Sequence, residues 1–476
     1  MNRIIKALSI VLSIALLSLL SGCVLTSQSV LPSSLADALV PSHWSAPLAE
    51  ADGAQNQWLT AFASSELEAL VTEGLVHNRN LQAAAFRISR SFALAKVSKA
   101  ARLPDLNVAL GANRSRANAN NQSFYGSSVS LAFLTNWEAD LWGKISSQVN
   151  ASELAWKAVA ADYQAARLSL VANISRAWFA VIAAHQQQLL AETNQANLSN
   201  TLAIVRRRYQ QGLTSALDIE LAESNYSQAS NNRLVRQSRL RDARQSLELL
   251  LGRYPDASIL SVDALPELRS KIPTGLPADL LIRRPDLRAA LYRLKSLDQS
   301  YLATERARLP ALRLTASGGT VSDALSSLTS AGGLVWNLGA NLSAPLFDAG
   351  RLKSEAEASK ASTLEGLANY EQVLLVAFRE VEQALSEEVL LGAREESLMN
   401  AVNHAVIGEE IAKRQYQGGL IDVLSLLDTQ QLALTMKSQQ LDVQQARLDN
   451  RVKLHLALGG SFVSAVNIEE ESTRAE

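Results

Sequence analysis

Apolar and polar residues alternate one by one in four short stretches of the chain. Leu106, Val108, Leu110 and Ala112 share one side, with Asn107, Ala109, Gly111 and Asn113 on the other; Val129, Leu131 and Phe133 likewise oppose Ser128, Ser130 and Ala132. Further on, Leu312, Leu314 and Ala316 alternate with Arg313, Thr315 and Ser317, and Leu334, Trp336, Leu338, Ala340 and Leu342 with Val335, Asn337, Gly339, Asn341 and Ser343. A period of two is the signature of a strand, so strands are predicted near 106–115, 127–138, 312–318 and 334–344. The intervening sequence has helical spacing. No proline occurs between Pro104 and Pro255 or after Pro345, and proline costs a helix interior about 3 kcal/mol. Residues 144–211 and 351–417 can therefore each carry one long helix, about 100 Å at the helical rise. Leu367, Leu374 and Val381 step by seven, with Phe378 and Leu385 on the second seam position, as in coiled packing. Shorter helices are predicted over 216–251 and 423–458, and before the strand pairs over 65–103 and 286–309.

The pattern repeats at about 207 residues. Ala101-Arg102-Leu103-Pro104 returns as Ala307-Arg308-Leu309-Pro310, and Asn80-Leu81-Gln82-Ala83-Ala84 as Asp286-Leu287-Arg288-Ala289-Ala290. Gly143-Lys144 matches Gly350-Arg351, Tyr209-Gln210-Gln211-Gly212-Leu213 matches Tyr416-Gln417-Gly418-Gly419-Leu420, and Leu251-Gly252 matches Leu458-Gly459. Matches kept in register over this span define a tandem duplication, with repeats at 63–270 and 271–462 and a tail at 463–476. Each repeat is a strand pair plus a long helical hairpin, so the fold class is mainly α with a β part.

Each strand is near the length that crosses a membrane, with an apolar face and a small or polar face, as in a barrel wall between lipid and a wet lumen. A half-buried soluble sheet has the same period. Four strands cannot close a barrel, and an open edge is not tolerated in lipid, so the membrane reading requires several copies. The N-terminus favours it. Arg3 and Lys6 precede an apolar stretch from Ala7 to Leu20, then Leu20-Ser21-Gly22-Cys23. This predicts a signal peptide over 1–22, cleavage, and lipidation of Cys23, the sole cysteine, with residues 23–62 an anchored extension. Val24 follows in place of a retention-favouring Asp, which gives the outer membrane as the address.

Composition narrows the function. The net charge of −1 leaves no basic surplus for nucleic acid. His43, His77, His185, His404 and His455 are scattered, and neither a nucleophile elbow nor a phosphate loop is present. No catalytic residue, cofactor or metal site is assigned.

Several stretches together resemble the TolC-like outer membrane factors, in particular the lipid-anchored branch that serves resistance-nodulation-division (RND) pumps. They are the lipobox ending at Cys23, Leu281-Ile282-Arg283-Arg284-Pro285-Asp286-Leu287-Arg288-Ala289-Ala290, Trp137-Glu138-Ala139-Asp140-Leu141-Trp142-Gly143, Pro345-Leu346-Phe347-Asp348-Ala349-Gly350-Arg351, and Ala457-Leu458-Gly459-Gly460. The resemblance implies a homotrimer with a 12-stranded outer-membrane β-barrel continued by a 12-helix periplasmic α-barrel. It also implies a periplasmic adaptor, an inner-membrane RND-type pump and a passive exit route for drugs or other small toxic compounds. The closed tip would lie at 211–218 and 417–428. There Asp218, Tyr416 and Asp428 match positions of gate contacts or an acidic ring. Ser425 and Ile421 stand where some members carry a second carboxylate and a gating arginine, so the latch would lean on Leu420, Ile421 and Leu424. Ser215 and Asp218 also have the spacing of a capping box, a purely structural role. The competing class of function is a periplasmic coiled-coil scaffold or adaptor with a soluble sheet, although adaptors usually carry a single hairpin.

Overall fold

A computed structural model describes residues 28–31, 40–41, 43–45, 58–119, 122–260, 264–268, 280–328 and 333–460. Cys23 and the expected signal peptide lie outside the described residues. The elements follow as α1 (Ser65–His77), α2 (Arg79–Ala100), β1 (Asn107–Ala119), β2 (Gln122–Ala139), α3 (Lys144–Gln210), α4 (Ala216–Leu251), α5 (Pro285–Arg306), β3 (Ala311–Ser322), β4 (Leu334–Ser343), α6 (Arg351–Gln417) and α7 (Val423–Ala457). They divide into two compact units. Among the described residues, one holds 28–31, 91–156 and 292–369, with the strands; the other holds those from 40 to 90, from 157 to 291 and from 370 to 460, with most of the helical mass.

In the first unit the strands form one antiparallel sheet in the order β1-β2-β3-β4. Its register places the four apolar rows on a single face. Val108 lies opposite Phe133, Phe133 opposite Gly318 and Gly318 opposite Trp336, while Leu110, Leu131, Thr320 and Leu334 form the neighbouring line. Directly opposed residues share a face, so Ser317 opposite Asn337 and Asn113 opposite Ser128 belong to the polar one. Val108, Phe133, Trp336 and Leu338 are exposed, as suits a surface meant for lipid rather than for a protein core.

β1 and β2 run beyond the expected 106–115 and 127–138. The apolar alternation stops near Arg114, but the backbone ladder continues through Arg116 opposite Tyr125 to Ala119 opposite Gln122. Ladder hydrogen bonds belong to the backbone and need no apolar side chain. The helix expected over 65–103 is also interrupted. It breaks at Asn78, whose Oδ1 accepts from Leu81 N at 2.9 Å to start α2. Helix α6, by contrast, runs unbroken through Gly366, Gly392 and Gly408. At Gly366 a Cβ would stand 2.6 Å from Leu297 Cδ1, so close approach of α5 explains that glycine.

The second unit buries the seam residues: Leu374, Val381 and Leu385 are inaccessible or nearly so, packed with Leu287 of α5 and Leu454 of α7. A second cluster gathers Trp58, Phe62, Leu67, Phe179, Ile182, Leu247 and Leu251. The repeat is visible in how its helices end. Gly252, at φ +77°, stands where a Cβ would meet His77 O at 2.4 Å, and Gly459, at φ +66°, where it would meet the Arg283 carbonyl carbon at 2.9 Å. Each closes a helix in the left-handed conformation that glycine adopts most easily. Beside Gly252, Asn78 Nδ2 donates to Leu250 O at 2.8 Å. Beside Gly459 the equivalent residue is Arg284. Its Nη1 donates to Ala457 O at 3.2 Å and Glu380 Oε2 at 2.8 Å, and its Nε and Nη2 hold both Asp286 oxygens at 3.1 and 2.7 Å. The Arg-Arg-Pro-Asp stretch thus starts α5 with Pro285 in its first turn, and also ties α5 to α6 and α7.

Candidate functional site

The two helix turns of the second unit are built alike. After α3, Gly212 (φ +70°) lets Leu213 N donate to Arg208 O at 2.9 Å; after α6, Gly419 (φ +76°) lets Leu420 N donate to Gln415 O at 2.9 Å. Both are helix ends with a left-handed glycine followed by a leucine. The helices that leave the turns are capped by the same two residue types in reverse order. Ser215 caps α4, with Asp218 Oδ2 accepting from Ser215 N at 2.9 Å and Ser215 Oγ from Asp218 N at 3.3 Å. Asp422 caps α7, its Oδ1 accepting from Ser425 N at 2.8 Å. Each turn keeps one carboxylate, at the third helical residue in the first repeat and at the cap in the second.

Between the turns lies an apolar cluster of Leu198, Leu202, Val205, Ala222, Tyr416 and Leu426, with Ile421 packed against it. Tyr416 is 3% exposed, whereas its repeat equivalent Tyr209 is 46% exposed. Arg208 accounts for part of the difference. Its guanidinium carbon sits 5.0 Å from the centre of the Tyr416 ring and its Nη1 donates to Tyr416 O at 2.9 Å. Burial pushes the Tyr416 hydroxyl above its ordinary pKa, and the nearby Asp218 carboxylate adds to that. Of the residues singled out from sequence, Asp218 and Tyr416 are brought together and Ile421 is half-buried, while Leu420, Leu424 and Asp428 are exposed. Arg208 was not singled out, because Arg206-Arg207-Arg208 offers three bases in a row with nothing to mark the one turned onto a ring. Among the described residues no cluster of His, Cys, Asp and Glu could hold a metal ion.

Asp218 is held below the usual carboxylate range by the Thr214 hydroxyl and by Ser215. Asp422 is lowered by the Ser425 amide and hydroxyl. A lowered folded pKa means that the stabilisation is present above the unfolded value and is lost as pH falls through the folded one. Both turns therefore stay anionic in mildly acidic medium. The destabilisation caused by Asp218→Asn is expected to be the same at pH 7.5 and pH 5, measured by denaturant unfolding; a destabilisation that vanishes by pH 5 would contradict the lowered pKa.

A sheet with a lipid-compatible face, repeated in step with very long helices that end in anionic turns, defines an outer-membrane export channel. The chain belongs to the outer membrane efflux protein family, whose pattern matches residues 70–253 and 276–460, once per repeat. It is 29% identical to the cation efflux system protein CusC of Escherichia coli O6:H1 over 87% of this chain and 90% of that protein. It is also 29% identical to the toluene efflux pump outer membrane protein TtgF of Pseudomonas putida over 95% and 96% of the two chains. Among solved structures, the outer-membrane channel OprN superposes with a TM-score of 0.83 at 25% identity, covering 89% of this chain and 97% of that one. The protein is an outer-membrane efflux channel of TolC-like type. The scaffold alternative is not favoured.

Proposed function

We propose that the chain works as a homotrimer, lipid-anchored at Cys23 to the outer membrane, whose helix turns dock a periplasmic adaptor and an RND-type pump. The observation that carries this reading is the four-stranded sheet: its apolar rows share one face and its two edges, β1 and β4, have no partner strand within the described chain. Unpaired edges are costly in lipid and are satisfied when copies close a ring. The gate would comprise Asp218, Tyr416, Leu420, Ile421, Leu424 and Asp428. Tyr416 and Ile421 would supply the apolar grip, and three copies of each acid a negative constriction that favours cations. Cargo would be organic toxic compounds. With Cys23 taken up by the lipid anchor, three methionines leave few soft ligands for copper or silver.

Deletion of the gene followed by susceptibility profiling tests the function. Sensitisation to drugs, dyes or detergents, restored by the plasmid-borne gene, is expected; an unchanged profile in all classes would reject the export assignment, and sensitisation to copper alone would reject the organic cargo. For the anchor, Cys23→Ser is expected to abolish labelling by radioactive palmitate, and retained label would refute it. For the gate, Asp428→Ala is expected to lower the cation-over-anion permeability ratio of the purified channel by removing charge from the constriction; an unchanged ratio would remove Asp428 from the gate.

A further inference from the structure

The duplication supplies a template for the joint between copies. Inside one chain the first repeat meets the second where β2 pairs with β3, with Ala139 opposite Leu312 and Thr135 opposite Ala316. Just beyond the strand ends this joint is stapled by hydrogen bonds. Trp142 Nε1 donates to Pro310 O at 2.7 Å, and Arg306 Nη1 donates to Gly143 O at 3.0 Å and to Ser147 Oγ at 2.5 Å. In a ring of copies, β4 of one chain meets β1 of the next, again a second strand of one repeat against the first strand of another.

The repeat offsets of 207 and 206 residues carry one joint onto the other. Thr135 and Ala316 become Leu342 and Leu110, and Ala139 and Leu312 become Leu346 and Leu106. Leu342 and Leu110 fall on the apolar face, as side-chain alternation requires, while Leu346 and Leu106 lie just beyond the ends of β4 and β1. The staples, however, have no counterpart. Trp142 maps to Ala349 and Arg306 to Ala100, which offer neither an indole nor a guanidinium donor. What stands there instead is apolar and uncovered in the single chain. Leu346 is 98% and Phe347 91% exposed, and Leu103 and Leu106 are each 71% exposed.

We propose that Leu346 and Phe347 of one copy seat against Leu103 and Leu106 of the next, an apolar joint in the place of the hydrogen-bonded one inside the chain. This rests on the reading of the channel as a ring of three copies. The occupant is a second copy because the patch continues the two strand edges that must pair with each other, and because the repeat puts a leucine opposite a leucine there. Burying three leucines and a phenylalanine from water is favourable and needs no polar geometry.

Cysteine pairs in the full-length chain, expressed in cell envelopes and oxidised with copper-phenanthroline, test the joint. Opposed residues across an antiparallel pair are close enough for a disulfide, while positions 106 and 346 of the same chain are separated by three strand spacings, about 14 Å, too far to bridge. The double variant Leu106→Cys/Leu346→Cys is expected to give a reductant-sensitive ladder ending at three copies, and each single variant none. Absence of that ladder while Leu110→Cys/Leu342→Cys cross-links would overturn the joint and leave the ring intact. Quenching of a Phe347→Trp variant by brominated lipid, with no ladder, would likewise overturn it in favour of lipid contact. Failure of both pairs, with a monomeric mass in detergent, would overturn the three-copy reading itself. As a second measure, Leu346→Asp/Phe347→Asp is expected to lower the trimer fraction in detergent at least tenfold while leaving the helical circular dichroism unchanged. An unchanged fraction would count against the proposal.

Discussion

Arg208→Ala is expected to raise the open fraction of the channel by an order of magnitude or more in planar bilayers. The guanidinium gives Tyr416 a charge-assisted hydrogen bond and a face contact with its ring, together about 2 kcal/mol in a partly buried setting. At 1.4 kcal/mol per factor of ten, losing that much from the closed state moves the balance roughly 30-fold. Arg208→Lys keeps the charge but not the planar fork, so an intermediate effect is expected. Wild-type conductance in both variants would show that the Arg208–Tyr416 contact only packs the turn.

Arg284→Ala is expected to cost the folded chain about 3 kcal/mol, measured by denaturant unfolding in detergent. Its side chain is 9% exposed and pairs with Asp286 and Glu380. Desolvation opposes the charged form, but the two carboxylates more than offset it and raise the Arg284 pKa. Removing the guanidinium leaves two carboxylates and the Ala457 carbonyl without their shared donor. Arg284→Met fills the volume better and should recover part of the packing but not the pairing. A loss below about 0.5 kcal/mol in both variants would mean that solvent replaces the network.

The duplication, the long helices and the facing of the strands were legible because each is a periodicity written in many residues at once. The apolar rows at Val108, Phe133 and Trp336 needed only a period of two to be assigned to one side, and Leu374 and Val381 only a period of seven. What escaped the sequence are contacts made by single residues across the fold. Arg284 reads locally as the residue before a helix start, and nothing nearby announces Glu380 or Ala457. Tyr209 and Tyr416 occupy the same repeat position in similar local sequence, yet one is exposed and the other sealed, because only the second joins the apolar cluster between the turns and lies under Arg208. The capping box at Ser215 was legible from spacing, and the repeat offset carries its two positions onto Asp422 and Ser425, but that the reversed pair caps α7 is seen only in the contact of Ser425 N with Asp422. Repetition fixes the wall, and the departures from repetition mark the turns.

The hydrogen-bonded joint at Trp142 and Arg306 also bears on how such a channel comes apart. Around a ring of three chains, joints of this kind would alternate with apolar ones, so the circumference has three lines of cleavage rather than six. A harsh detergent, which competes for apolar surface, should then open the joints between copies first. Detergent would release whole chains that still hold their two halves together, and the smallest separable piece would be one complete duplicated chain.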